Sequence, residues 1–123
     1  MNFKADLPAE RMNRPKEIID LESKQLSIRL LKAISTFEDA FDTNAPTLNG
    51  LRVLLYIYSK EACHKQDIEK DLNIQYATSS RILGQLDKDC GFIERYADPE
   101  NYRKTKCRVT EKGIQLVQAI AKP

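Results

Sequence analysis

Two short helical patterns separated by a tight turn constrain this fold more than any other feature of the sequence. Apolar residues recur at helical spacing in "KQDIEKDL" (65–72), and the same spacing returns in a segment from about Gln75 to about Cys90. Asn73 lies between them, and asparagine tolerates the left-handed backbone conformation that turns a chain sharply after a helix. The sequence therefore predicts a helix-turn-helix.

The period of the apolar pattern changes after Gly91. The segments "FIERYA" (92–97) and "KTKCRVT" (104–110) have the two-residue alternation of β-strands, and "DPENYR" (98–103) joins them. The next segment, "TEKGIQLVQAIAK" (110–122), returns to helical spacing. We therefore expect a β-hairpin and then a short final helix after the helix-turn-helix.

A long helical pattern precedes this unit. Asn13 can cap a helix that has Pro15 in its first turn, and apolar residues recur at helical spacing to about Asp42. Such a helix would be about 42 Å long, which exceeds the width of a domain of this size. Part of its apolar face must therefore be covered by something else, most simply a second copy of the chain. The residues expected at that dimer interface are Leu26, Leu30, Ile34 and Phe37.

The second helix of the pair has hydroxyl residues in "TSSR" (78–81), where better helix formers would serve an exposed surface. Projection onto a helix separates an apolar face from a polar face that can donate hydrogen bonds. The second helix of a helix-turn-helix can lie in the major groove of DNA, where Arg suits guanine and Gln suits adenine. An ordinary solvated face is the alternative. The candidate DNA-contacting residues of this helix are Gln75, Tyr76, Ala77, Ser80, Arg81 and Gln85.

The distribution of charge is more informative than its total. The chain has 20 basic and 18 acidic residues, a net charge of only +2. In "YRKTKCR" (102–108), however, four of seven residues are basic and none is acidic. A patch of that density is a candidate footprint for a polyanion, although it would also be unremarkable on a solvated strand.

Two motifs of this sequence resemble those of the MarR family of winged-helix transcription regulators. The hairpin sequence "DPENYRKTKCRVTEKG" (98–113) keeps the spacing of the wing motif of that family, and "ATSSR" (77–81) occupies the place of its recognition-helix motif. The order of segments follows the family throughout residues 48–113. Two moderately specific motifs in the right order and spacing make a fairly strong signal.

The resemblance implies roles for the wing residues. Arg103 would enter the minor groove, where negative potential is concentrated, and Asp98 would brace its guanidinium by a charge-assisted hydrogen bond. Lys104 and Lys106 would hold flanking phosphates without reading sequence. The alternative is that "DPEN" (98–101) is simply a good type I turn, which would account for the aspartate and the proline but not for the basic strand.

The chain departs from the family pattern at several positions. Gln75 stands where a Ser or Thr usually caps the recognition helix, and Ser79 replaces an apolar core residue and needs a partner if it is buried. The link "LDKDCG" (86–91) is one residue longer than usual, so the orientation of the wing can differ, and Asn101 replaces an acid of the wing motif. The final helix is short, so dimerisation is expected to depend mainly on the N-terminal helix.

These features predict a mainly α fold with a small β-hairpin, a winged helix-turn-helix preceded by a long helix. The expected organisation is a loosely ordered segment at 1–12, a dimerisation helix at 13–46, the winged helix-turn-helix at 47–113 and a short C-terminal helix at 114–123.

The expected function is that of a sequence-specific regulator, most simply a repressor, that binds double-stranded DNA as a homodimer on a palindromic operator. A winged-helix protein-interaction adaptor and a non-specific architectural DNA binder are the alternatives. The resemblance also allows a small-molecule effector near Phe37, Tyr56 and Tyr58, although these aromatic residues fit a core better than an effector crevice.

Other classes of protein are disfavoured. A single histidine and no phosphate-binding glycine loop leave little for catalysis, so neither an enzyme nor a cofactor is expected. Cys63, Cys90 and Cys107 lack metal-ligand spacing; they are interpreted as incidental thiols, with a redox switch as the alternative. No segment resembles a secretory signal or a membrane span, so a cytoplasmic, nucleoid-associated protein is expected.

Overall fold

The computed structural model describes residues 19–41 and 47–122. It is mainly helical with one small antiparallel sheet, as predicted. Among the helices of these two ranges, none is both long enough and apolar enough to span a membrane. The elements are α1 (Leu21–Asp39), α2 (Leu48–Lys60), β1 (Ala62–His64), α3 (Lys65–Leu72), α4 (Tyr76–Gly84) with a π-helical continuation (Gln85–Asp89), β2 (Ile93–Asp98), β3 (Asn101–Val109) and α5 (Glu111–Ala121).

Helix α1 begins later than the apolar pattern predicts. Asp20 has an extended backbone (φ −92°, ψ 161°), and its carboxylate accepts a 2.7 Å hydrogen bond from the Ser23 N–H. The prediction that residues 19 and 20 are helical is therefore wrong, because Asp20 is a strong N-cap. The 19 residues of α1 span about 28 Å rather than 42 Å. The predicted helical residues 13–18 and 42–46 lie outside the described residues.

The C-terminal end of α1 is part of the core. Phe37 is 2% exposed, its ring packs edge-to-face on Phe41 at 5.1 Å, and Phe41 packs in the same way on Phe92 at 5.5 Å. The assignment of Phe37 to a dimer interface is therefore wrong, because this side chain is covered by its own chain. Leu26 and Leu30, three and two turns earlier on the same stripe, are each 55% exposed.

Helix α2 supplies the centre of the core and holds α3 in place. Its inward side chains include Val53, Leu54 and Ile57, all fully buried. On its outer side, the Arg52 guanidinium donates to the Leu72 carbonyl at 2.9 Å and the Tyr56 hydroxyl donates to the Asp71 carboxylate. These contacts fix the first helix of the helix-turn-helix against the body of the protein.

The turn between α3 and α4 has the predicted conformation. Asn73 is left-handed (φ 54°, ψ 53°), and the following Ile74 N–H donates to the Glu69 carbonyl at 3.0 Å. Ile74 is buried, so an apolar anchor directly after the turn fixes the direction in which α4 leaves. The predicted helix-turn-helix is confirmed.

Helix α4 continues as a π-helix before the β-hairpin. Residues Gln85–Asp89 are π-helical, and Gly91 follows in the left-handed region (φ 72°). A π-helical turn contains one more residue than an α-helical turn, so it absorbs an insertion without breaking the helix. The one extra residue noted in the 86–91 link lies in this part of the chain.

The sheet has three strands in the order β1-β3-β2, all antiparallel. Strand β1 was not predicted; it is three residues long and pairs Cys63 with Cys107. The hairpin is also longer than predicted, because β2 extends to Asp98 and β3 begins at Asn101. Only Pro99 and Glu100 form the connection, so "DPENYR" is not a six-residue loop.

Helix α5 is capped by Thr110, whose hydroxyl accepts a 3.1 Å hydrogen bond from the Gly113 N–H. The same hydroxyl donates to the Gly91 carbonyl, which holds the start of α5 against the link that precedes the wing. Cys63 of β1 and Cys107 of β3 have buried side chains. Burial raises the pKa of Cys63 to about 12 and that of Cys107 to about 11, which opposes the thiolate that a redox switch requires.

Candidate nucleic-acid interface

Helix α4 has the two faces that its sequence indicates. Ser79, Ile82 and Leu83 are buried, whereas Tyr76, in the first turn of the helix, is 73% exposed. Among the other candidate DNA-contacting residues, three are exposed and two are half-buried. The exposed ones are Gln75, Ala77 and Arg81, and the half-buried ones are Ser80 and Gln85.

The N-terminus of α4 has no side-chain cap. Gln75 occupies the N-cap position with an extended backbone, and its side chain makes no capping hydrogen bond. The first backbone hydrogen bond of the helix runs from the Ser79 N–H to the Gln75 carbonyl at 2.9 Å. The orientation of this end of α4 must therefore depend on contacts made by other side chains.

Ser79 makes one of those contacts from the buried face. Its hydroxyl donates to the Glu69 carboxylate on α3 and lies 3.0 Å from the Tyr76 carbonyl of its own helix. Glu69 also forms an ion pair with Lys65, one turn earlier on α3. Burial opposes ionisation of Glu69, but the hydrogen bonds from Lys65 and Ser79 outweigh it and hold the pKa of that carboxyl below its ordinary value.

Lys65 connects this ion pair to the exposed start of α4. Its ammonium nitrogen lies 3.6 Å from the centroid of the Tyr76 ring, within the range of a cation–π interaction. The Lys65 side chain is only 14% exposed. A continuous set of contacts therefore runs from Ser79 through Glu69 and Lys65 to Tyr76.

A groove of about 220 Å³ separates the start of the helix-turn-helix from the wing, which we define as β2, β3 and their connecting turn. We call it the helix–wing groove. One side is formed by α3 and Tyr76 of α4, and the other by residues of β3. The two predicted DNA-contacting elements therefore meet at one surface of the molecule. The residues that line the groove are Lys65, Gln66, Glu69, Tyr76, Arg103, Lys104 and Thr105.

The wing carries its basic residues on a bulge. Ala97 pairs with Thr105 but the next residue, Asp98, pairs with Asn101, so residues 102–104 have no partner on β2. All three are exposed. The Arg103 N–H donates to the Asn101 side chain at 3.3 Å, and within the described residues its guanidinium makes no hydrogen bond or ion pair. The Arg103 cation is thus available at the groove.

Asp98 does not brace Arg103. Its side chain is buried, accepting a backbone hydrogen bond from Glu100 at 2.9 Å and lying 2.6 Å from Nε2 of His64. The hydrogen bond with His64, followed by that from Glu100, holds the pKa of Asp98 below its ordinary value. The predicted role of Asp98 is wrong because the carboxylate points back to the residue that precedes α3, where it fastens the wing to the helix-turn-helix.

The basic residues farther along β3 are partly neutralised. Lys106 is half-buried, and its charge favours the ionised form of Asp98. Arg108 forms an ion pair with Glu94 and lies over the Tyr96 ring at 4.9 Å. The cationic surface of the wing is therefore concentrated at Arg103 and Lys104, close to the turn.

Sequence reasoning missed the contribution of α3 to this surface. Lys65 and Gln66 line the helix–wing groove, and neither was among the candidate residues. The spacing of Lys65 and Glu69, four residues apart on a helix, is a recognisable ion-pair signal. That spacing does not indicate that Ser79 of α4 contacts Glu69, or that Tyr76 of α4 contacts Lys65.

Comparison with known proteins agrees with this geometry. The family model for the MarR family matches residues 47–105, which extend from the start of α2 through the bulge of the wing. Residues 47–105 match the MarR family. The matched range holds α3, α4, the whole of β2 and the groove-lining residues of β3, so the MarR-family match and the candidate interface coincide.

One curated relative is the HTH-type transcriptional regulator BilQ of Clostridioides difficile (strain CD3). It is 31% identical over 70 residues, which are 56% of this chain and 47% of BilQ. The chain thus aligns with about half the length of that regulator.

Solved structures share the fold more extensively. The structure of the S. aureus MepR–DNA complex has a TM-score of 0.65 and 27% identity, and the match covers 83% of this chain and 81% of that one. Transcriptional regulator Tm0710 from Thermotoga maritima has a TM-score of 0.70 at 17% identity, with coverage of 89% and 72%. The latter likeness shows the MarR-type fold alone.

Proposed function

We propose that this protein is a transcription regulator that binds double-stranded DNA in a sequence-specific manner, with α4 in the major groove and the wing at the adjacent minor groove. The observation that carries the proposal is the helix–wing groove, which brings Tyr76 of α4 and Arg103 of the wing to one surface. A helix and a hairpin on the same side match two neighbouring grooves of a duplex.

The exposed cations of α4 and of the wing suit a polyanion. Arg81, Arg103 and Lys104 are exposed, and Arg103 has no competing carboxylate partner within the described residues. An arginine on α4 can bind the O6 and N7 atoms of guanine, and an arginine at the wing suits the negative potential of a narrow minor groove. Lys104 would contact phosphates, which position the protein without reading sequence.

The relatives support the same reading. MepR has been crystallised with DNA, and BilQ is called a transcriptional regulator. Occupation of a promoter is the simplest mode of action, so we propose repression, in the compartment that holds the DNA.

We also propose that the protein acts as a homodimer. Leu26 and Leu30 are each 55% exposed and Ile34 is 39% exposed, on the stripe whose C-terminal end is buried at Phe37. A second α1 would cover this stripe. A two-fold symmetric dimer would recognise a palindromic operator whose half-sites are about 10 base pairs apart.

The decisive experiment is selection of bound duplexes from a random DNA pool at near-physiological salt. We expect a pseudo-palindromic consensus, and about a 10-fold or greater loss of affinity for it in Arg81→Ala and in Arg103→Ala. Lys24→Ala, which removes an exposed cation of α1, should leave the affinity unchanged.

Other results would point to the other functions. Binding without sequence preference would indicate an architectural DNA protein. Absence of DNA binding, or wild-type affinity in both arginine variants, would favour a protein-interaction adaptor.

A further inference from the structure

We propose that Lys65, Glu69 and Ser79 are positioning residues that set how Tyr76 and the start of α4 meet DNA, and so determine sequence preference without contacting DNA themselves. The inference rests on the proposed DNA-binding function. It adds residues of α3 and of the buried face of α4 to that function, none of which was among the candidate DNA-contacting residues.

The first step is the buried hydroxyl of Ser79. Within the described residues, Ser79 and Asp98 are the buried polar side chains. A hydroxyl on an apolar face is unfavourable unless it is hydrogen-bonded, and a small apolar residue would pack there without that requirement. What the hydroxyl adds is direction, because a hydrogen bond restricts distance and angle far more than apolar packing does.

The second step is the partner of that hydroxyl. Ser79 lies one turn inside α4 and donates to Glu69 of α3, across the turn at Asn73. This bond restricts the rotation of α4 about its own axis relative to α3. It does so at the end of the helix that has no side-chain cap, since the Gln75 side chain makes no capping bond.

The third step concerns the charge of Lys65. Its ammonium group is paired with Glu69, its side chain is 14% exposed, and it lies against the Tyr76 ring. A lysine that is already neutralised and largely covered is a poor phosphate ligand. Its evident effect is to support one face of the Tyr76 ring, whereas Lys104 on the opposite side of the groove is exposed and unpaired within the described residues.

The fourth step is the position of Tyr76 itself. The residue is 73% exposed, belongs to the first turn of α4 and lines the helix–wing groove together with Arg103. The N-terminal residues of a recognition helix are those that meet base edges. A change in the tilt of this ring or in the rotation of α4 would therefore change which base pairs are favoured.

The test separates orientation from charge by means of salt dependence. Affinity for the selected operator and for a random duplex is measured at several salt concentrations for wild type, Lys65→Met and Lys104→Met. We expect Lys65→Met to lower the ratio of operator to random affinity about 10-fold and to leave the slope of log affinity against log salt unchanged. Lys104→Met, the matched control, should reduce that slope by about 1.8 for the dimer, because it removes one phosphate contact from each protomer.

Ser79→Ala provides a second measurement that does not depend on a folded Lys65 variant. It removes the hydroxyl from the buried face and leaves Glu69 paired with Lys65. We expect the same loss of operator preference, while the urea midpoint of unfolding stays within error of the wild-type value or rises. A merely structural role for Ser79 would lower the midpoint and leave the preference intact.

Three outcomes contradict the inference. A Lys65→Met slope reduced by about 1.8, with equal losses on both duplexes, would make Lys65 a phosphate contact in each protomer. Wild-type preference in both Lys65→Met and Ser79→Ala would overturn the inference while the proposed function stands. Absence of operator preference in the wild-type protein would overturn the proposed function itself, and the inference with it.

Discussion

His64 and Asp98 form the contact that joins the two DNA-facing elements. His64 is the single histidine of the chain and the N-cap residue of α3, and its Nε2 atom lies 2.6 Å from the carboxylate of Asp98 at the end of β2. Its Nδ1 atom lies 3.7 Å from the carboxylate of Asp67. Burial of Asp98 makes the position of the wing turn depend on this pair.

Asp98→Asn should reduce stability in a manner that depends on pH. Because folding lowers the pKa of Asp98, its carboxylate contributes stability fully above the ordinary aspartate pKa of about 3.9, and the contribution is lost as the pH falls through the lower folded value. We expect a lower urea midpoint than wild type at pH 7 and a smaller difference at pH 3. Asp39→Asn, which changes an exposed carboxyl of α1, is the control. A difference between wild type and Asp98→Asn that stays constant from pH 7 to pH 3 would contradict the assignment.

At the scale of elements, the start of α5 approaches the link before the wing too closely for any side chain. A Cβ atom added at Gly113 would lie 2.0 Å from the Phe92 carbonyl oxygen and 2.9 Å from its carbonyl carbon. The Thr110 N–H donates to the same carbonyl at 3.0 Å, so Phe92 cannot move away from the start of α5 without breaking that hydrogen bond. The glycine of the wing motif therefore serves the packing of α5 rather than contact with DNA.

Gly113→Ala should destabilise the protein by about 1–3 kcal/mol or more, because the backbone of Phe92 must move. Gly84→Ala is the matched control: it also lies in a helix, and a Cβ added there would meet nothing within 4 Å. We expect Gly84→Ala to raise the free energy of unfolding above that of wild type by about 0.5–1 kcal/mol, because alanine is favoured over glycine within a helix. Thermal unfolding of both variants measures the contrast, and equal midpoints would contradict it.

In the molecule as a whole, α1 contacts the core through its C-terminal half, where Ala33 and Phe37 pack against it. Its apolar stripe begins exposed at Leu26 and Leu30 and ends buried at Phe37. A single helix thus serves two surfaces, the core of its own chain and the proposed dimer contact. The length of α1, about 28 Å, is enough for both.

Leu30→Lys should dissociate the proposed dimer, because it places a charge within an apolar contact. We expect the dimer Kd to rise about 30-fold or more, measured by sedimentation equilibrium, with a parallel loss of operator affinity. Ser35→Lys introduces the same charge at an exposed position on another side of α1 and should leave the dimer intact. A monomeric wild-type protein, or a Leu30→Lys variant as dimeric as wild type, would contradict the proposed assembly.

Some elements were predictable because their determinants are local. The bounds of α3 match "KQDIEKDL", and Asn73 adopts the left-handed turn, since helical periodicity and the backbone preference of asparagine act within a few residues. Strand β1 was not predictable in this way. Three residues have no periodicity to detect, and they form a strand only because β3 pairs with them.

Within the wing motif, too, some features were predictable from the sequence and others were not. Its acidic, basic and glycine positions are visible in the sequence, but the bulge at 102–104 follows from the register between β2 and β3. The partner of Asp98 lies 34 residues earlier in the chain, and Phe37 shares its helical stripe with exposed leucines. Periodicity specifies which side of a helix is apolar, but it does not specify what covers that side.

The helix-turn-helix, the hairpin, the polar face of α4 and the resemblance to the MarR family follow from the amino-acid sequence alone, because each depends on neighbours within one or two turns or on a linear motif. Three features become visible only in the folded chain: Lys65, Glu69 and Ser79 converge beneath Tyr76, Asp98 turns to His64, and α4 and the wing share a groove. These are contacts between elements, and their geometry depends on how the packed core orients each helix and strand.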